Sequence, residues 1–235
     1  MQELTKERAG KIFRYSLLAV TFIGLLISGI VFRVPPYKIL PLFNSLFIVM
    51  MQAKANRYAY ILGGINSILY AIIYIFTGLY ALAMYAFCFS FPIGLLTFFR
   101  WNKNSYEKST RFSSMNTKWR LLTALAFFAV FGITILVLRL LGSDFALLDT
   151  SVSLLGILVS ILTMLARVEY APLWLLSSVL SLALNIQVTI SDITFFPYTI
   201  SATYNLICTA TALFNVFRLY KKQTTTVNEP HPDII

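Results

Sequence analysis

The sequence predicts an all-α integral membrane protein with eight transmembrane helices, in which one extra N-terminal helix precedes a three-plus-one-plus-three arrangement of two parallel triplets. Three observations carry this prediction: composition, the count of apolar stretches, and the distribution of basic residues. Of 235 residues, 58% are hydrophobic and 12% charged, with a mean hydropathy of +0.77. A soluble domain has roughly 45–50% apolar and about 25% charged residues. In water so apolar a chain would expose large patches and aggregate, which excludes a soluble enzyme and a disordered protein.

A helix needs about 20 predominantly apolar residues to cross the bilayer core, and eight stretches approach that length: 14–32, 37–53, 58–76, 79–99, 119–139, 146–165, 172–190 and 194–217. The first follows Lys6, Arg8, Lys11 and Arg14, as a signal peptide would. Its apolar run exceeds the roughly 7–15 residues of a signal core, and no small-x-small cleavage site follows, so it reads as a span. Pro35 and Pro36 close the first hairpin, and Lys54, Asn56 and Arg57 separate the second and third spans. Thr77 and Gly78 supply a tight turn before the fourth. Inside that span Pro92 removes a backbone hydrogen bond and bends the helix, as a hinge or as a static kink. The polar stretch 100–118, then Asp144, Arg167 with Glu169, and Asp192 mark the remaining turns. No room is left for a soluble domain.

The formal net charge is +10. With eight spans, all of the 19 Lys and Arg residues except Arg33, Lys38 and Arg139 fall on one side. Cytoplasmic connections are enriched in Lys and Arg, so this side, with both termini, is expected to be cytoplasmic. The charges are spread over short connections rather than gathered on one face, so nucleic acid is not an expected partner. The expected partners are the lipid bilayer and a small solute; a homo-oligomer stays open. Cys88 and Cys208 lie in apolar runs and read as small buried hydrophobes. The one histidine is His231, near the C-terminus. A metal site needs three or four spaced ligands, and none are spaced that way, so no cofactor is expected.

The longest polar connection follows the fourth span, and the fifth stands alone before three more. The expected units are 1–36 (tail and extra helix), 37–99 (first triplet), 100–140 (loop and linker helix), 141–218 (second triplet) and 219–235 (disordered tail). A single linker helix lets both triplets share one orientation, and such parallel repeats place a transporter's solute site near the midplane between them. Met51, Ala53, Lys54 and Asn66 in the first triplet echo Met164, Ala166, Arg167 and Ser178 in the second.

Side-chain amides are costly in hydrocarbon unless they meet partners or a cavity. Asn44 and Ser45 lie mid-span in the second helix. Asn66 and Ser67 lie mid-span in the third, where Tyr70 and Tyr74 continue the face. In the seventh, Trp174, Ser178, Ser181 and Asn185 form one stripe of a 3.6-residue helix. Ser201, Tyr204, Asn205 and Cys208 form another in the eighth. The candidate binding set is therefore Asn44, Asn66, Tyr70, Tyr85, Trp174, Ser178, Ser181, Asn185, Tyr204 and Asn205. Two readings stand for each member, solute ligand or interhelical glue, and for Trp174 a stacking platform or an interface anchor. Trp101 and Trp119 read as interface anchors. No Asp, Glu, Lys or Arg lies in the middle third of a span; Asp149, a turn inside the sixth, reads as a helix-start carboxylate. Such a neutral, aromatic-rich interior suits downhill movement of a neutral or mildly cationic planar solute. Phosphorylated solutes would call for Arg or Lys.

From Tyr58 to Trp101 the chain resembles the first repeat of the PnuC vitamin-precursor transporters. The resemblance lies in Ile65-Asn66, in Leu79-Tyr80-Ala81, and in Pro92 nine residues before Trp101. Leu173-Trp174 with Ser178 and Ser181, and then Asn205, resemble the second. The similarity covers roughly 37–220. It departs at Ser178, where the family has asparagine, at Pro172, where it has tryptophan, and at Gly94, Thr97 and Phe98. The resemblance implies facilitated diffusion of nicotinamide riboside or a related vitamin, trapping by cytosolic phosphorylation, and a helix arrangement like that of the SWEET sugar transporters. Thiamine, riboflavin and a deoxynucleoside stay open as solutes. A vitamin-binding subunit of an ATP-driven importer is the competing class. No acid–base constellation that would suit an enzyme exists at any depth.

Overall fold

A computed structural model describes residues 2–106, 109–140 and 145–228. The turn expected at Asp144 and the tail from 229 on, with His231, lie outside the described residues, as do the side chains of Lys6, Arg8 and Lys11. Eight long helices follow in order: α1 Gln2–Val31, α2 Pro36–Ala53, α3 Tyr58–Phe76, α4 Tyr80–Lys103, α5 Thr117–Leu140, α6 Ala146–Met164, α7 Tyr170–Ser191 and α8 Phe196–Asn228. Seven are long and apolar enough to cross a membrane, which makes the chain a multi-pass membrane protein. The eighth, α2, falls short because it carries Lys38, Pro41, Asn44, Ser45 and Gln52.

The helix ends have local causes. Pro36 starts α2 at a position where the missing N–H costs nothing. The ends of α1, α2, α3 and α6 share one Schellman turn. Arg33, Ala55, Gly78 and Ala166 take φ of 50°, 51°, 75° and 53°. In each, the amide of that residue reaches back three residues and the next amide five, as in Ala55 N to Gln52 O (2.8 Å) with Asn56 N to Met51 O (3.1 Å), and Ala166 N to Thr163 O (2.9 Å) with Arg167 N to Leu162 O (2.9 Å). Only one of the four is glycine.

Within α4, residues Tyr85–Ser90 form a π-helical turn directly before Pro92. Proline cannot donate the usual amide, and the wider turn absorbs the mismatch. The Ala86 carbonyl takes the Phe91 amide and, across the interface, the Ser67 hydroxyl at 3.0 Å. Cys208 is buried as expected, whereas Cys88, within this turn, is exposed.

One core packs α1, α2, α3, α7 and α8 around Leu25, Leu42, Leu46, Ile73 and Leu184; a second, around Trp101, Phe112, Tyr170 and Val216, lies at one end of the bundle. The connections 54–57, 109–116 and 165–169 meet at that end, with the last turns of α8. Asn215 Nδ2 donates to Ala53 O (2.8 Å), and Gln223 both donates to Thr110 O (3.0 Å) and accepts from Phe112 N (2.8 Å). Arg120 pairs with Glu169 at 2.6 Å. Between α4 and α5 lies a short hairpin of β1 Ser105–Tyr106 and β2 Ser109–Thr110.

Trp101 is not an interface anchor. It is fully buried, its Nε1 donates to Thr163 O at 2.8 Å, and its ring meets Tyr60 and Phe112 edge-on. Trp119, 63% exposed, does sit at the surface. The opposite end is tied by Tyr198 OH to Lys38 O (2.8 Å) and by Lys38 Nζ beside Asp192 (4.0 Å). Helix α5 stands apart, only 6% buried along its apolar window against 17% or more for the other six.

Candidate functional site

A cavity of about 290 Å³ runs between the two groups of helices. Helices α2, α3 and α4 line it on one side, α6, α7 and Asn205 of α8 on the other. Its wall contains no Asp, Glu, Lys or Arg. Polarity comes from amides and hydroxyls, and aromatic faces from Tyr60, Tyr70, Tyr74, Tyr85, Tyr170 and Trp174.

Of the ten candidates, Asn66, Tyr70, Tyr85, Trp174, Ser178, Ser181 and Asn205 line this cavity. Asn66 is held from two sides: Asn44 Nδ2 donates to its Oδ1 (3.3 Å), and its own Nδ2 donates to Pro41 O (3.0 Å). Tyr70 OH donates to the same carbonyl (3.3 Å) and meets Ser45 Oγ at 2.9 Å. Tyr85 OH meets Ser160 Oγ at 3.2 Å, with its ring against Gly156. Ser178 Oγ donates to Trp174 O (2.9 Å).

The other three lie off the cavity wall. Asn44 is exposed and supports Asn66 from behind. Asn185 turns back onto its own helix, donating to Ser181 O at 2.7 Å. Tyr204 is buried in the apolar core, its hydroxyl donating to Leu46 O at 3.2 Å.

Asn205 Oδ1 is a buried polar atom of the wall without a hydrogen-bond partner, whereas the buried hydroxyls of Tyr60 and Tyr170 face each other. Buried polar groups are nearly always satisfied, so Asn205 Oδ1 marks where a solute can bond. Asn205 has one long protein contact, Nδ2 to Ser178 Oγ at 3.5 Å.

Sequence reasoning missed Gln52, Ser90, Thr97, Ser160, Thr163 and Ser177, which complete the polar wall. Single hydroxyls carry no face information until the helices are placed. Glycines shape the rest. A Cβ on Gly94 would lie 2.7 Å from Tyr60 O and 3.1 Å from Gly64 Cα, so α3 and α4 touch backbone to backbone, leaving no space for a side chain. Asp149 is fully buried beside α4, not on the wall, and accepts from Ala81 N (3.1 Å) and Leu82 N (3.0 Å). It sits in its own helix's first turn, as expected, but it caps a different helix. Among the described residues no three His, Cys, Asp or Glu side chains cluster to hold a metal.

A bundle of apolar helices around a neutral polar cavity is the architecture of a membrane solute carrier. The family model described as "Nicotinamide mononucleotide transporter" matches residues 36–218, and the chain belongs to that family of membrane transporters. A solved structure described as "Crystal structure of the Vitamin B3 transporter PnuC" superposes with a TM-score of 0.74 at 21% identity, covering 89% of this chain and 92% of the other, which shows a shared fold. No curated protein sequence matches the chain.

Proposed function

We propose that the protein is a uniporter for nicotinamide riboside or a closely related vitamin, moved downhill and trapped by cytosolic phosphorylation. The observation that carries this reading is the cavity wall: amides, hydroxyls and aromatic rings, with no charged side chain. A ribose hydroxyl or the N–H₂ of a ring carboxamide can donate to Asn205 Oδ1. Tyrosine and tryptophan faces suit a planar cationic ring. The family description names a mononucleotide, but a phosphate asks for Arg or Lys. The dephosphorylated nucleoside fits this wall better.

Eight crossings and two three-helix units, 37–99 and 141–218, belong to this reading. Supporting them is the same Schellman turn closing α2 and α6 on Ala55 and Ala166. Both termini then lie on the basic, cytoplasmic side of a bacterial inner membrane.

Titration calorimetry of the purified protein tests the solute. Nicotinamide riboside is expected to bind, and nicotinamide mononucleotide to bind far more weakly or not at all. Thiamine, riboflavin and a deoxynucleoside complete the panel, and preference for one of them would move the assignment within the same mechanism. Uptake into liposomes without ATP is expected; dependence on an ATPase partner would overturn the uniport.

A further inference from the structure

A second concavity lies away from the solute cavity, on the lipid-facing side. It is a groove of about 550 Å³ between α5 and α6. Leu122, Ala126 and Val130 form part of one wall, and Leu154, Leu158 and Ile161 part of the other. The groove ends in Asn116, Trp119 and Arg167. Both walls run twelve residues, or eleven helical steps, from Trp119 to Val130 and from Leu154 to Leu165. At 1.5 Å per residue that is about 16 Å, half of a roughly 30 Å hydrocarbon core. An apolar slot one leaflet deep has the length of an acyl chain.

The end of the slot fixes the headgroup. Arg167 Nη1 donates to two neutral oxygens, Ser113 Oγ and Ser114 O, both at 3.0 Å. The nearby Glu169 takes Arg120 and the Met115 amide (2.8 Å) on its Oε1, and among the described residues no carboxylate forms an ion pair with Arg167. The guanidinium charge is thus left for a partner at the membrane surface, beside an indole suited to the headgroup layer.

We propose that this groove is a binding site for one anionic phospholipid, whose acyl chain lies between α5 and α6 and whose phosphate meets Arg167. The lipid wedges the otherwise lightly packed linker helix against α6.

The test uses the full-length protein in nanodiscs containing phosphatidylglycerol or phosphatidylcholine, each with a photoreactive diazirine on the acyl chain. Phosphatidylglycerol is expected to label peptides spanning 119–130 and 154–165, several-fold more than phosphatidylcholine does. Arg167→Gln should cut that preference by about fivefold, the effect of one interfacial charge. Ala126→Trp, which fills the slot, should abolish labelling there while solute binding stays intact. Equal labelling by the two lipids, or labelling that survives Ala126→Trp, would overturn the site. So would an oxidant-driven disulfide between two copies carrying Ala126→Cys, which would show that another protein chain covers the groove.

Discussion

Asn66 and Asn205 look alike in the sequence, each an asparagine at mid-depth in an apolar helix. Their surroundings separate them. Asn66 is only 5% exposed and ties Asn44 to the Pro41 carbonyl, whereas Asn205 keeps an unpartnered Oδ1. Asn205→Ala is therefore expected to weaken solute binding with little change in melting temperature. A lost buried hydrogen bond of about 1–3 kcal/mol corresponds to a roughly 5- to 150-fold loss of affinity. Asn66→Ala should instead lower stability by on the order of 1 kcal/mol as well, because it orphans its partners. Calorimetry and thermal melting of both variants check the split; two variants that melt early and bind normally would make both residues helix glue. The sequence made the polar stripes legible because 3.6-residue spacing gathers them on one face. It left open which members of a stripe are spent on their neighbours: Asn185 and Tyr204 share the spacing of Ser181 and Asn205 yet bond to helix backbone.

At the scale of elements, the helix boundaries were readable wherever proline, glycine or charge interrupts an apolar run. Residues 58–76 and the turn at Gly78 fall where expected. What sequence could not show is how one helix end completes another. The π-helical turn ahead of Pro92 and the cap on α4 both depend on neighbours: Ser67 from α3 for the first, Asp149 from α6 for the second. Two charge-assisted bonds to orphan amides hold the start of α4, and such caps are worth about 0.5–2 kcal/mol or more when buried. Asp149→Asn keeps one acceptor and turns an N–H₂ group toward an amide donor. It is expected to lower the melting temperature in detergent, by roughly 2 kcal/mol of stability. An unchanged melting curve would show that the carboxylate does not hold the helix.

Across the whole molecule, the basic connections expected on one side do converge at one end, joined by Asn215, Arg120 and Gln223. Charge asymmetry carried that much, because membrane insertion acts on it directly. Trp101 was misread for a related reason: hydropathy and position near a span end describe an anchor, but only packing reveals a buried indole. The arrangement predicts that a reporter fused after Ile235 and active only outside the cytoplasm stays silent. Activity of that reporter would break the parity on which eight crossings rest.

The uncharged cavity wall has an electrical consequence. The proposed solute, nicotinamide riboside, carries a fixed positive charge on its pyridinium ring, and this wall supplies no carboxylate to travel with it or to neutralise it. Each crossing then moves one net charge through the membrane field. An inside-negative potential of 100 mV contributes about 2.3 kcal/mol per charge, enough for roughly fifty-fold accumulation. A carrier with no coupling ion would in this way still concentrate its solute, with the resting potential as the driving force. In proteoliposomes, an inside-negative potassium diffusion potential should speed uptake of the cation and leave an uncharged nucleoside of similar shape unaffected, while collapse of proton and sodium gradients should change neither. Uptake of the cation indifferent to voltage would mean that a compensating charge moves with it.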